Sequence, residues 1–381
     1  MKINKKIIVF RDKLLLESET FIPRSYDNFK NFEVIYACSK LGWNHKILSN
    51  KKILVCKNFF FRFLFKHFGY IQNINLIKKH NPVAIHAHFG KSGALALPLA
   101  KKLEIPLIIT FHGGDITKRK HFKKQITGNI FKRRLSELQN YTSLFIGVSD
   151  FISTKLVKAG FPKTRVLTHY NGIKLKYASI KTKKNKNLLF VGRLVEKKGI
   201  EVLIRAIKSL NNENFLINLD IVGSGPLEEK LRSLAKNIEN IRFLGWKSES
   251  EVSDLMERCS ALIVPSKTAR NGDSEGLPTV ILEAIKTGTI VVASDHSGIP
   301  EVIVNEKTGF IFTEGDIEQL AHQIVRVSKI DKDEKKVITD NASELLNKKF
   351  DSFVQSQRLE KLIEGIISGN LVAGEGFEPP T

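Results

Sequence analysis

Short apolar runs alternate with stretches of helical periodicity along almost the whole chain, and that rhythm limits the fold more than any other feature. In the first half the runs fall at residues 5–10, 32–37, 84–87, 107–111 and 144–148. Residues 93–103, rich in Ala and Leu and stopped before Pro106, read as a helix between two of them. The second half keeps time more clearly, with strands at 188–191, 218–222, 241–244 and 261–264 separated by helices at 200–209, 227–235 and 250–258. A strand can meet the next one in parallel only through a crossover, and here each crossover is helical. The expected fold class is therefore α/β, with doubly wound parallel sheets that bind ligands at the carboxyl ends of their strands.

At 381 residues the chain exceeds one ordinary core. A polar, lysine-rich stretch, 174–187, separates the two rhythmic halves. It places one Rossmann-like domain over 1–175 and a second over 176–345, joined by one linker with a ligand cleft between them. A helix follows over 346–368, its clearest part being 353–367. After Gly369 the pattern dissolves into a tail, 369–381, that reads as disordered.

Charge divides along the same line. Residues 1–180 hold 33 Lys and Arg against 9 Asp and Glu, whereas the remainder holds 28 against 30. Such confinement points the first half toward an anionic partner: a lipid surface, nucleic acid or a phosphorylated substrate. No stretch approaches the ~20 apolar residues needed to span a bilayer. The basic and apolar start is interrupted by Arg11-Asp12-Lys13 and reads as a first strand rather than a leader. Cys38, Cys56 and Cys259 are scattered and odd in number, which suits free thiols in a reducing cytoplasm. The segment 59–70, FFFRFLFKHFGY, mixes aromatics with Arg62, Lys66 and His67. It suits either a buried helix or an interfacial one.

The densest chemistry lies in residues 273–284, DSEGLPTVILEA. Glu275 and Glu283 stand eight positions apart, with Gly276-Leu277-Pro278-Thr279 after the first. Pro278 suits the first turn of a helix, so Glu275 falls in the loop ahead of it and Glu283 along it. The free N–H groups of that helix start can receive a diphosphate without extra cations.

These residues resemble the E-x7-E signature of the family 4 glycosyltransferases, which have the two-domain GT-B fold. Phe190-Val191-Gly192-Arg193-Leu194 with Lys197-Lys198-Gly199, Asp220–Leu227, Val264-Pro265-Ser266 and Ser297-Gly298-Ile299-Pro300-Glu301 resemble further family motifs in the same order. In the first half, Ser18-Glu19-Thr20-Phe21-Ile22, His86-Ala87-His88-Phe89-Gly90 and Thr110–Asp115 resemble a subgroup acting in exopolysaccharide and colanic-acid-type assembly.

The resemblance implies a retaining, metal-independent transfer from a nucleotide-diphosphate sugar to a glycan precursor of exopolysaccharide, capsule or lipopolysaccharide, either the glycan itself or one linked to polyprenyl diphosphate. The expected location is the cytoplasm or, through the basic first half, the cytoplasmic face of the inner membrane. The first domain would take the acceptor, and the last helix would cross back to it. Donor binding falls to Gly192, Arg193, Lys198, Gly276, Leu277, Pro278, Thr279 and Glu283. Arg193 and Lys198 follow a strand and a glycine, where they can neutralise charge on the leaving nucleotide. Glu283 is expected on the ribose and Glu275 on the sugar. His112, between a strand and Gly113-Gly114-Asp115, is expected to act at the transferring sugar. Ser18, Glu19, His88 and Asp115 complete the candidate cleft. No metal or other cofactor is expected, since the sugar nucleotide is a substrate. A non-transferring relative, such as a sugar-nucleotide epimerase, is the alternative enzyme. A nucleic-acid-binding role has only the charge behind it and leaves the glutamate pair without a task.

Overall fold

A computed structural model of the chain describes residues 5–14, 19–42, 48, 51–118, 130–175 and 187–370. It divides into two compact units, Met1–Gly172 with Ser352–Thr381, and Ile173–Asp351.

The first unit is built on a seven-stranded sheet. Its strands are β1 (Lys5–Phe10), β2 (Phe32–Cys38), β3 (Lys52–Leu54), β4 (Pro82–His88), β5 (Leu107–Phe111), β6 (Leu144–Gly147) and β7 (Val166–Thr168). They lie in the order β3-β2-β1-β4-β5-β6-β7, every pair parallel. Ile7, Ile8, Val9 and Phe10 are all fully buried, because helices cover both faces. Alternate side chains feed two cores: Ile8, Phe10, Ile35 and Ile85 pack on one face, Ile7, Val9, Val34 and Ala84 on the other. The strand order reverses between β1 and β4, so their carboxyl ends open a crevice. Arg11 and Asp12 follow β1 there, and Phe89 follows β4.

The helix Gly90–Leu103 contains Pro98, which cannot donate to Ala94. The freed Ala94 carbonyl accepts from Arg134 Nη1 at 2.6 Å instead. The helix therefore runs on through the proline and starts three residues earlier than its Ala-Leu run suggests.

The final helix, Ser352–Ser368, belongs to this first unit. Leu359 and Ile363 enter the core against Ile7 and Val9. Glu360 Oε1 accepts from the backbone of Lys30 and Asn31, and His169 Nε2 donates to the Gln355 carbonyl at 2.9 Å. Residues 346–350, expected in this helix, instead finish the preceding one, Lys332–Phe350. The break is Asp351, whose extended backbone (ψ 124°) cannot carry the first helix onward.

The second unit has six parallel strands, β8 (Leu188–Val191), β9 (Leu219–Val222), β10 (Ile241–Gly245), β11 (Ala261–Val264), β12 (Ile290–Ser294) and β13 (Phe310–Phe312). Their order is β10-β9-β8-β11-β12-β13, so the reversal lies between β8 and β11. The turn after β9 passes very close to the turn after β8. Gly223 has φ +129°, and a Cβ there would lie 2.0 Å from the Gly192 carbonyl oxygen. Only glycine fits such an approach. Of the inter-domain stretch 174–187, residues 176–186 fall outside the described residues, as does 371–381 of the tail.

Candidate functional site

In the second unit the candidate residues gather at the carboxyl ends of β8 and β11. The Lys198 side chain lies along Gly192, where a Cβ would meet its Cε at 3.5 Å. Its ammonium stands 3.2 Å from Glu275 Oε1, and that of Lys197 stands 3.7 Å away. Glu275 Oε1 is buried, and the two ammonium groups hold the carboxylate chiefly by charge. Burial pushes the Glu275 carboxyl up, but Lys198 and Lys197 outweigh it and leave the group below its usual value. Arg193 is exposed, and its guanidinium has no partner among the described residues.

Gly276, Leu277 and Pro278 are buried and lead into the helix Thr279–Lys286. Pro278 stands immediately before that helix rather than inside its first turn, with ψ 113°. No side chain caps the helix start. Glu283 sits half-buried one turn beyond Thr279.

Sequence reasoning missed the support behind Glu275. His296, 2 % exposed, accepts the Glu275 backbone N–H on Nε2 at 3.3 Å. Its Nδ1 faces Glu314 Oε2 at 2.7 Å, which makes it the donor there. Ser297 Oγ donates to the Glu275 carbonyl at 2.6 Å and reaches that of Gly276 at 3.2 Å. The sequence hint was local: Ser297 opens the motif Ser297-Gly298-Ile299-Pro300-Glu301, and His296 directly precedes it.

In the first unit the candidates line the ends of β4 and β5. His88 Nδ1 and His112 Nε2 are 3.0 Å apart, with their rings stacked. Behind them Tyr26 Oη lies 2.7 Å from both His88 Nε2 and His86 Nδ1, and His86 Nε2 lies 2.7 Å from Thr110 Oγ1. Burial lowers the pKa of His86 to about 3 and carries those of His88 and His112 well below the usual imidazole value. All three rings are neutral at pH 7. The Nδ1 of His112 is buried without a partner.

Asp115 organises the turn. Its carboxylate accepts from the backbone N–H groups of Gly90, His112 and Gly113 at 2.9–3.0 Å. Burial raises its pKa despite those bonds. Glu19, 4 % exposed, pairs with Arg11 at 2.6 Å. The Arg11 guanidinium rests 4.1 Å from the centre of the Phe89 ring, which packs on His112 in turn. Glu19, His88, His112 and Asp115 thus belong to one connected group, and Ser18 lies outside the described residues.

The segment 59–70 resolves its two readings unequally. Residues Phe59–Phe68 form a helix in which only Phe65 is buried, while Phe59, Phe60, Phe63, Phe68 and Tyr70 are exposed. Its basic residues do not act together: Lys66 turns toward the buried Asp12 at 3.8 Å, and Arg62 lies over the Phe59 ring. No described helix is long and apolar enough to cross a membrane. The three cysteines are buried free thiols.

Known families match both units. Residues 174–345 match the family described as glycosyl transferases group 1, and residues 30–177 match Glycosyltransferase Family 4. AmsK of Erwinia amylovora, an amylovoran biosynthesis glycosyltransferase, is 30% identical over 286 residues, 73% of this chain and 69% of its own. The chain belongs to glycosyltransferase family 4. WcaL of Escherichia coli K12, named for colanic acid biosynthesis, shares 30% identity with this family 4 glycosyltransferase over 292 residues, 74% of this chain and 70% of its own. Among solved structures, HepE from Anabaena in complex with UDP and glucose superposes with a TM-score of 0.76. That match has 19% identity and covers 94% of this chain and 99% of HepE. A glycosyltransferase from Rickettsia africae gives 0.77 at 19% identity, over 96% and 99% of the two chains. These likenesses establish the GT-B fold, two Rossmann-like α/β domains.

Proposed function

We propose that this family 4 glycosyltransferase transfers a sugar, with retention, from a nucleoside-diphosphate donor to a surface-polysaccharide precursor carried on a polyprenyl-diphosphate lipid. The observation that carries the donor half is Glu275, held by charge between Lys198 and Lys197 and tied from behind by His296, one loop ahead of an uncapped helix start. A helix start with free N–H groups and two nearby cations suits a diphosphate. Arg193 and Lys198 neutralise the diphosphate as it leaves, so the step needs no metal. Glu275 contacts the sugar and Glu283 the ribose. HepE, solved with UDP and glucose, supports a nucleotide-sugar donor, and the names of WcaL and AmsK support an exopolysaccharide acceptor.

In the proposed reaction the bond between the anomeric carbon and the diphosphate oxygen breaks, and the acceptor hydroxyl oxygen bonds to the same face of that carbon. The hydroxyl proton passes to the departing diphosphate oxygen. His112, neutral at pH 7, positions the sugar by hydrogen bonding and does not act as the base. The exposed aromatics of the helix Phe59–Phe68 and the basic first half hold the enzyme on the cytoplasmic face of an anionic membrane, where the acceptor resides.

The test is transfer from radiolabelled UDP-, GDP- and ADP-sugars into a lipid extract of the source membranes, followed by NMR of the new linkage. The proposal expects label in lipid with the donor's anomeric configuration preserved. Inverted product refutes retention. Donor isomerised or hydrolysed equally well without acceptor places the chain with the non-transferring relatives instead.

A further inference from the structure

The hydrogen-bond chain in the first unit contains more information than its distances. It runs Thr110 Oγ1, His86, Tyr26 Oη, His88, His112, and it stops at His112 Nδ1, which is buried and unpartnered. Each link needs one hydrogen. A threonine, a tyrosine and each neutral imidazole supply one apiece, five hydrogens for four links, and three arrangements fill every link. In the third of them His86 and His88 both donate to Tyr26 and His112 donates to His88, which leaves the Tyr26 hydroxyl hydrogen and His112 Nδ1 unsatisfied; the first two run in a single direction.

In the first arrangement His86 Nε2–H donates to Thr110, Tyr26 donates to His86, His88 Nε2–H donates to Tyr26, and His112 Nε2–H donates to His88. His112 Nδ1 is then a bare acceptor, and the Thr110 hydroxyl must place its own hydrogen elsewhere. Thr110 is 5 % exposed, and His86 is the only partner of its hydroxyl among the described residues. That arrangement leaves two buried polar groups unsatisfied, one at each end.

In the second arrangement every direction reverses. Thr110 donates to His86 Nε2, His86 Nδ1–H to Tyr26, Tyr26 to His88 Nε2, and His88 Nδ1–H to His112 Nε2. Thr110 is now satisfied, and only one group is left open, the Nδ1–H of His112. Buried polar groups without partners are costly, so the arrangement with fewer of them prevails.

We propose that Thr110, His86, Tyr26 and His88 are positioning residues that fix His112 as its Nδ1–H tautomer, so that it meets its ligand as a hydrogen-bond donor. The group it addresses is an oxygen of the sugar nucleotide, a sugar hydroxyl or a diphosphate oxygen. This inference rests on the reading that His112 works at the transferring sugar. The stacking of His86 on His88 and of His88 on His112 keeps the rings in register for the relay. Phe21 and Phe89 pack on the last ring, at 4.7 and 4.5 Å between centroids.

The experiment is long-range 1H–15N NMR of the full chain labelled on histidine nitrogen, with rings assigned by single substitutions, beside steady-state kinetics. His86, His88 and His112 are expected to carry hydrogen on Nδ1 and none on Nε2. Tyr26→Phe and Thr110→Val should each lower kcat about tenfold while the donor KM stays within about twofold. Thr110→Ser, which keeps the hydroxyl, should restore both the tautomer and the rate. An Nε2–H signal at His112 in the parent overturns the relay, as does unchanged kcat in both Tyr26→Phe and Thr110→Val. If the Nδ1–H signals are present but His112→Ala transfers at the parent rate, the tautomer assignment stands and the catalytic reading of His112 fails.

Discussion

The backbone N–H of Glu275 donates to His296 Nε2 at 3.3 Å, and the opposite ring nitrogen of His296 meets Glu314 at 2.7 Å. One buried imidazole therefore pins the loop that carries the candidate sugar-binding carboxylate. Replacing it strands the Glu275 N–H and leaves Glu314 Oε2 with only the longer contact from Thr268 Oγ1, 3.5 Å, among the described residues. His296→Ala should cost about 1–3 kcal/mol, lowering the melting temperature by several degrees, and should slow transfer. Parent-like melting and turnover in that variant remove His296 from the account.

Lys198 has two tasks in the proposed donor site: it faces the diphosphate and it holds Glu275 ionised. Lys198→Ala and Arg193→Ala should each weaken donor binding by roughly 1.5–3 kcal/mol, read as a shift in titration midpoint. Only Lys198→Ala should also move the pH profile. The folded-state pKa of Glu275 lies below its usual value, so its stabilising contribution is present above the usual carboxylate range and is lost as pH falls through the lowered value. Without Lys198, burial acts against one ammonium instead of two, and the acid limb of the rate profile should rise toward neutrality. An acid limb that stays in place in Lys198→Ala contradicts that coupling.

Glu275→Gln and His112→Ala are both directed at the transferring sugar. Each should reduce kcat by a larger factor than it raises the donor dissociation constant. A His112→Ala enzyme with parent kcat reduces that ring to packing between Phe21 and Phe89. Excess EDTA should leave the parent rate unchanged; loss of transfer restored by manganese would refute the metal-free proposal.

The exposed ring face of the helix Phe59–Phe68 gives the membrane proposal a local test. Phe59 and Phe68 are 75 % and 73 % exposed, although the Phe68 ring lies against Phe63 and His67. Sedimentation with anionic liposomes should require acidic lipid and weaken as salt rises. It should fall sharply in Phe60→Ser/Phe63→Ser. Arg62→Glu should weaken it more than Lys66→Glu, because Lys66 is turned toward Asp12. Equal binding to neutral and acidic vesicles, or no binding at low salt, rules the docking surface out.

Most strands that cross the middle of the sheets were legible in the sequence because both of their faces are buried, but Ile290–Ser294, buried at every residue, was not among the expected strands. Lys5–Phe10, Leu107–Phe111 and Ala261–Val264 begin and end where their apolar runs do. The edge strands Lys52–Leu54 and Val166–Thr168 were not, since three residues of mixed polarity leave no periodic signal. The Glu275–Glu283 pair announced itself by local spacing. Tyr26 could not, because its hydrogen-bond partners lie 60 and 62 positions away and meet it only once β4 is in the sheet. His296 stands 21 positions from the loop it secures, for the same reason. The direction of Lys66 was hidden as well: its burial partner Asp12 follows a strand far upstream.

The central claim is a nucleotide-sugar site on the second unit, and thermal melting of the full chain across UDP-, GDP- and ADP-sugars tests it most directly. A donor at about 100 times its dissociation constant contributes about 2.7 kcal/mol of stability. One nucleotide class should therefore raise the melting temperature by several degrees, and Lys198→Ala should erase most of that rise at the same concentration. No shift with any donor, or a shift that Lys198→Ala and Arg193→Ala both leave intact, contradicts the account.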